Sequence, residues 1–178
     1  METAGPDIEA ANREKLLQDV TLPVAAELMP EANVPGRPWI VSRLSVFTVA
    51  FNTRLVRKQD APKSFDELLD AKWKGRLGIE ADDNNWLMTA SDIMGEARST
   101  KLFRDIVAKN GISVRKGHSL MANLVVSGEV PVALTAYVDE VDKLKKQGAP
   151  IDSVFLPPAI AMPTAAAAFR RASHPHAA

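Results

Sequence analysis

The spacing of apolar and polar residues changes several times along this chain, and each change marks an element. Ile8, Ala11, Leu16 and Leu17 recur at helical spacing, which predicts an amphipathic helix from Ile8 to Gln18 with Asp7 placed to cap it. Pro23, Pro30, Pro35 and Pro38 forbid a long helix and predict an irregular connection. From Trp39 to Asn52 the chain is rich in Val, Ile, Phe and Thr; Val41, Val46, Thr48 and Val49 favour an extended strand. Ser64 with Glu67 fits a capping box for a short helix whose Phe65 and Leu68 turn inward.

Past the turn Trp73-Lys74-Gly75-Arg76, strands and helices alternate. Leu77-Gly78-Ile79 predicts a buried strand, followed by helices from about Trp86 to Met94 and from about Thr100 to Lys109, the second stopped at Asn110-Gly111. Ile112-Ser113-Val114 predicts a strand. Ser119 is placed to cap a helix from Leu120 to Ser127 that Gly128 closes. Pro131 to Ala136 is the next strand, and Val138 to Gln147 an amphipathic helix stopped by Gly148. Ser153 to Phe155 and Ile160 to Phe169 read as extended. The order predicts an α/β fold whose mainly parallel sheet is flanked by helices.

Composition narrows the function. Hydrophobic residues make up 46% and charged residues 25% of 178, values typical of a soluble globular protein. Twenty-two Lys and Arg balance 22 Asp and Glu, so the basic excess of a nucleic-acid binder is absent, and so is an electrostatic pull toward anionic membranes. The lack of cysteine excludes disulfides, thiolate zinc sites and a cysteine nucleophile. Met1 to Asp7 shows no basic segment leading into an apolar core, so no signal peptide is expected in this chain. No Gly-x-Ser-x-Gly, Walker loop or His-Glu-x-x-His occurs, and His118, His174 and His176 miss the i, i+4 spacing of a helical metal pair. Neither catalysis nor a cofactor is expected.

Several segments together resemble one family. Ala61-Pro62-Lys63-Ser64-Phe65-Asp66-Glu67-Leu68-Leu69-Asp70 with Lys72-Trp73-Lys74-Gly75-Arg76, then Asn52-Thr53, Ser127-Gly128-Glu129-Val130-Pro131, Gly148-Ala149-Pro150-Ile151 and His174-Pro175 with Ala177-Ala178 are similar, in order and spacing, to type 2 periplasmic solute-binding proteins of the iron(III) and 2-aminoethylphosphonate ABC importers. The resemblance implies two lobes that close on a small polar solute or metal ion in the periplasm and deliver it to a permease. It also implies a chain shortened at both ends. Residues 1–52 would be a partial first lobe and interlobe strand, 53–157 the second α/β lobe, and 158–178 a truncated return segment. Two alternatives stay open: a non-binding fragment that self-associates, and an effector-sensing domain of a transcription regulator.

In such a fold, ligands meet loops and helix N-termini. Asp82, Asp83, Asn85 and Trp86 follow the strand at Ile79. The carboxylates either cap the helix or contact a ligand; they would repel phosphate and favour a cation, an amine or a polyol. Trp86 either packs in the core or stacks on a ligand. His118 is a donor, a metal ligand or a solvated turn residue, and Ser119 a cap or a ligand contact. Tyr137, the only tyrosine, follows a strand at its carboxyl end. Iron-binding relatives carry two adjacent tyrosines in this region, whereas Tyr137 stands between Ala136 and Val138, which weakens an Fe(III) site. Tyr137 and Asp82 are the best metal candidates on this reading. Arg43, on the strand expected to cross between lobes, either pairs with an anion or is a surface cation.

Overall fold

A computed structural model describes residues 2–4, 7–19, 27–32 and 36–173. The expected irregular stretch at Pro23 and Pro35 and the His174-Pro175-His176 helix opening lie outside the described residues. The chain forms two compact units, Val46–Ile160 and Met1–Ser45 with Ala161–Ala178.

In the unit of residues 46–160, the last part of β2 (Ile40–Asn52) is followed by β3 (Leu77–Glu80), α2 (Asn84–Met94), α3 (Glu96–Asn110) and β4 (Ser113–Arg115). Then come α4 (His118–Ser127), β5 (Val132–Tyr137), α5 (Val138–Lys146) and β6 (Ile151–Val154). The strands lie in the order β2-β5-β3-β4, with β6 also paired to β2. β3 runs parallel to both β4 and β5, while β2 is antiparallel to β5 and β6. The parallel part of the expected sheet is therefore β5-β3-β4. Those strands are joined by helical crossovers, the connection that parallel pairing requires. Between β2 and β3 the chain makes only short 3-10 turns, at Lys58–Asp60, Asp66–Leu69 and Ala71–Trp73.

The core of this unit gathers Ala50, Met121, Val125, Val130, Ala133, Ala136, Val141 and Ile151, all buried. Gly78 lets α4 close on β3: a Cβ there would stand 2.5 Å from Val130 Cγ1 and 3.2 Å from Met121 Sδ. Asn52, fully inside, donates from Nδ2 to the carbonyls of Val125 (2.8 Å) and Val126 (3.0 Å) and so ties off the last turn of α4. The expected Ser64–Glu67 box forms in half: Glu67 N–H meets Ser64 Oγ at 3.3 Å, but Glu67 Oε2 accepts from Lys63 N–H at 3.0 Å and not from Ser64, and the 3-10 turn takes Phe65 at its cap position.

An ion pair staples α5 to β6. Lys145 Nζ lies 2.7 Å from Asp152 Oδ1, and Lys58 Nζ 3.7 Å from Asp152 Oδ2. Burial alone would push the Asp152 carboxyl up, but the Lys145 hydrogen bond, the Ser153 N–H and both ammonium charges hold it below 3.8. The Lys145 ammonium is raised above 10.5 by its hydrogen bond to Asp152 and by that carboxylate's charge. Asp152→Asn is therefore expected to be less stable than the parent at neutral pH in urea melts. A lowered carboxyl contributes fully above its unfolded value, so the gap should persist down to about pH 3.8 and close as pH falls through the lowered value. At the alkaline end the raised Lys145 contributes fully below 10.5 and is lost as pH rises through its raised value, so the gap closes there too.

In the other unit, β1 (Glu2–Ala4) pairs antiparallel with β7 (Ala161–Ala166), and α1 (Asp7–Arg13) packs Ile8 and Ala11 with Leu17 and Ala165. The helix expected to reach Gln18 ends at Arg13. Lys15 takes a φ of 55°, and the chain turns so that Leu17 bridges to Phe169 and Gln18 N–H reaches Ala168 O at 2.9 Å. Leu17 serves this bridge and is buried, while Leu16 is exposed, so neither belongs to a helix face.

Candidate functional site

Glu80 and Tyr137 end β3 and β5, and the helices α2 and α4 begin just beyond the carboxyl ends of β3 and β4 in the same parallel set. This is the edge where open α/β sheets carry ligands. Glu80 is buried there, and each of its carboxylate oxygens accepts one bond. Oε1 accepts from Gly117 N–H at 2.7 Å, Oε2 from Asp82 N–H at 2.6 Å, and its own N–H donates to Thr135 Oγ1 at 3.2 Å. One carboxylate thus holds the loop before α2 and the turn before α4. Gly117 makes this turn with a φ of 106°, a value that L side chains rarely adopt.

Asp83 occupies the cap position of α2, but its carboxylate makes no bond to the helix. Instead Oδ1 sits 3.2 Å from His118 Nε2, with the Asp83 side chain only 7% exposed. Asp83 Oδ2 and His118 Nδ1 are both buried and find no hydrogen-bond partner among the described residues. The Tyr137 ring covers the imidazole at 4.0 Å between centroids and a 34° tilt, and Phe47 backs Tyr137 at 5.0 Å. Ligand atoms of Glu80, Asp83 and His118 all lie within 4.8 Å of one another. Two buried carboxylates and one imidazole make a strongly cation-seeking group.

Of the residues expected from sequence, the structure thus brings Asp83, His118 and Tyr137 together. Asp82 stays at the surface, 3.0 Å from Lys116, whose ammonium is raised by that hydrogen bond and the Asp82 charge. The metal-suited set consequently contains Glu80 and Asp83 in place of Asp82 and Tyr137. Asn85 is exposed. Trp86 is a core residue, buried and edge-on to Phe65 and Phe103 at 5.7 Å each, so the idea of a stacking platform gives way to packing. Ser119 is exposed inside the first turn of α4, and the cap is Gly117. Arg43 belongs to the other unit, where its Nε donates to Thr164 Oγ1 at 3.4 Å. Glu80 was not anticipated; its signal was an acidic residue at the carboxyl end of an interior strand. A groove of about 570 Å³ between α2 and α3, walled by Leu87, Met88, Phe103 and Val107, is apolar and brings no such polar set together.

The family model for bacterial extracellular solute-binding protein matches residues 6–167. The chain belongs to that family. The chain also superposes on iron-bound HitA from Pseudomonas aeruginosa, with a TM-score of 0.79 and 21% identity over 98% of its own length and 59% of HitA. AfuA from Actinobacillus pleuropneumoniae, solved with fructose-6-phosphate, gives 0.78 and 19% over 98% and 59%. Trichodesmium IdiA (FutA), solved with iron and citrate, gives 0.74 and 14% over 98% and 60%. At these identities the likeness is one of fold, an α/β sheet flanked by helices. The chain spans about 59% of the length of HitA and AfuA. No curated protein matches it. Among the described residues no helix is long and apolar enough to cross a membrane.

Proposed function

We propose that this chain is the solute-capturing component of an ABC importer, working outside the cytoplasmic membrane and handing a small polar solute or metal ion to a permease. Family membership supports the role, and one observation carries the location of the site. Asp83 and His118 pair at 3.2 Å, capped by Tyr137, with Asp83 Oδ2 and His118 Nδ1 buried and unmatched. Buried polar atoms left without partners cost about 1–3 kcal/mol each, and a bound solute that supplies the partner recovers this. HitA and AfuA carry iron and a sugar phosphate respectively, so proteins of this shape take both kinds of solute. In this chain the carboxylates of Glu80 and Asp83 disfavour an anion at that point and favour a cationic or hydroxyl-bearing solute.

The test is a thermal-shift panel of divalent metals, primary amines, polyols and sugar phosphates on the parent and on Tyr137→Ala. A ligand present at 100 times its Kd contributes about 2.7 kcal/mol. For a chain of this size that is roughly 5–10 °C in Tm. At least one class should give such a shift in the parent and a much smaller one in Tyr137→Ala. A folded parent whose Tm no class moves would refute solute capture by this chain.

A further inference from the structure

The geometry points to a binding site for a divalent first-row transition metal, of the zinc(II), cobalt(II) or manganese(II) kind, formed by Asp83, His118 and Glu80. It deepens the capture reading and rests on it for the metal's role as cargo. Three observations lead here. First, the three side chains present one nitrogen and two carboxylate oxygens within 4.8 Å, without any thiolate in the chain. Mixed imidazole and carboxylate donors suit borderline divalent ions better than calcium or magnesium, which prefer all-oxygen shells. Second, the Asp83 Oδ1 to His118 Nε2 separation is 3.2 Å. Neighbouring ligands of one ion, at bonds of about 2.0–2.1 Å, stand about 3.0–3.4 Å apart. The pair is therefore already spaced as one edge of a coordination shell.

Third, the pair leaves buried polar atoms unmatched. The Asp83 side chain is more than nine-tenths buried, at 7% exposure, and its Oδ2 has no donor. His118 Nδ1 is likewise buried and unmatched. Of the neighbouring cations, Lys116 is engaged by Asp82 and Arg115 by Glu129. A divalent ion against Asp83 takes up the unshared carboxylate lone pair and balances two buried negative charges at once. Glu80 has both oxygens on backbone N–H groups, at 2.7 Å and 2.6 Å, so it enters as a pre-positioned third ligand with lone pairs to spare. Three protein ligands leave a further position for water or an anion. Fe(III) is a poor fit, since the lone tyrosine stacks its ring on His118.

The test is calorimetric titration of the chelator-treated full chain with zinc, cobalt and manganese chlorides, with calcium and magnesium as comparators, and visible spectroscopy of the cobalt form. We expect one ion per chain, cobalt bands of a nitrogen–oxygen set, and affinity falling in Asp83→Asn and in His118→Gln by more than the roughly 10–100-fold that loss of an outer-shell partner costs. Asp105→Asn, which removes an exposed partner of Lys101, should bind as the parent does. His174→Gln/His176→Gln should also bind as the parent; loss there with retention in His118→Gln would overturn the site. Should a variant fail to fold, the parent's cobalt spectrum decides: ligand-field bands support the site, and an unchanged aqua-ion spectrum sinks it. Absence of metal binding alongside stabilisation by an amine, polyol or sugar phosphate that Tyr137→Ala abolishes removes the metal and leaves solute capture standing. No stabiliser of any class removes both.

Discussion

Glu80→Ala is expected to lower the unfolding free energy by about 3–6 kcal/mol, because a hydrogen bond to a charged acceptor is worth about 1.5–3 kcal/mol and two are lost together. The Gly117 and Asp82 N–H groups that now meet the carboxylate would lose their partner. Glu80→Gln should fall between parent and alanine, since one amide oxygen can accept only part of what two carboxylate oxygens accept, and the amide nitrogen cannot accept at all. The measurement is the urea midpoint at unchanged m-value across the three proteins. Binding should fail more steeply than stability. Glu80 sets the spacing of the loop that bears Asp83 and the turn that opens α4 at His118, so releasing it separates two groups that must meet within a few tenths of an ångström. Equal stability of Glu80→Ala and parent would mean that the two loops are held by something else.

Much of the architecture was legible in the sequence because local and long-range preferences agree. Leu77-Gly78-Ile79 and Pro131 to Ala136 read as strands and are strands, shifted by a residue. Gly111 and Gly128 end their helices with the expected N–H bonds back to Val107 and Leu124. The Ser64–Glu67 box needed only four residues to be recognised. What sequence did not reveal was decided at a distance. Serine is a better cap than glycine by preference, yet the cap of α4 lies two residues before Ser119, because Gly117 is anchored by Glu80 from another strand. Helical phase was the second blind spot. Trp86 and Ala90 are the buried pair of α2, four apart, while Leu87 and Met88 face outward, and periodicity alone allows either choice.

The site shows the same division. Asp82 and Asp83 are adjacent and chemically identical, and the sequence treats them alike. The fold sends Asp82 to Lys116 at the surface and Asp83 inward to His118. Tyr137 stands out from its place at the carboxyl end of a strand, which is a rule of topology and so readable, and the fold sets its ring on His118. Glu80 was passed over since a carboxylate in a buried strand looks like an error of pattern until its two N–H partners are known, one of them 37 residues away.

Trp73→Ala should produce a comparable loss from pure packing, about 3–5 kcal/mol. The indole is 1% exposed, donates from Nε1 to Glu67 O at 3.0 Å, and lies beneath the Lys72 ammonium and Arg76 guanidinium at 4.8 Å and 5.8 Å. It closes the turns between β2 and β3, which Asn110 also grips through the Leu68 and Asp70 carbonyls at 2.7 Å and 2.9 Å. Truncation would open a cavity that these pinned turns cannot collapse into, so the cost should sit toward the top of the range and lower Tm by about 10 °C. Trp73→Phe keeps most of the apolar area and removes one of two donors from the Glu67 carbonyl, which Asp70 N–H still meets at 3.1 Å, so it should cost about 0.5–1.5 kcal/mol for that bond. Trp73 and Glu80 flank opposite ends of β3. Ligand affinity of the folded Trp73 variants should therefore match the parent while their Tm falls, the opposite signature to Glu80. A Trp73→Ala protein that lost affinity as sharply as stability would show that β3 transmits strain from one end to the other, and that the site is not set by its own hydrogen bonds.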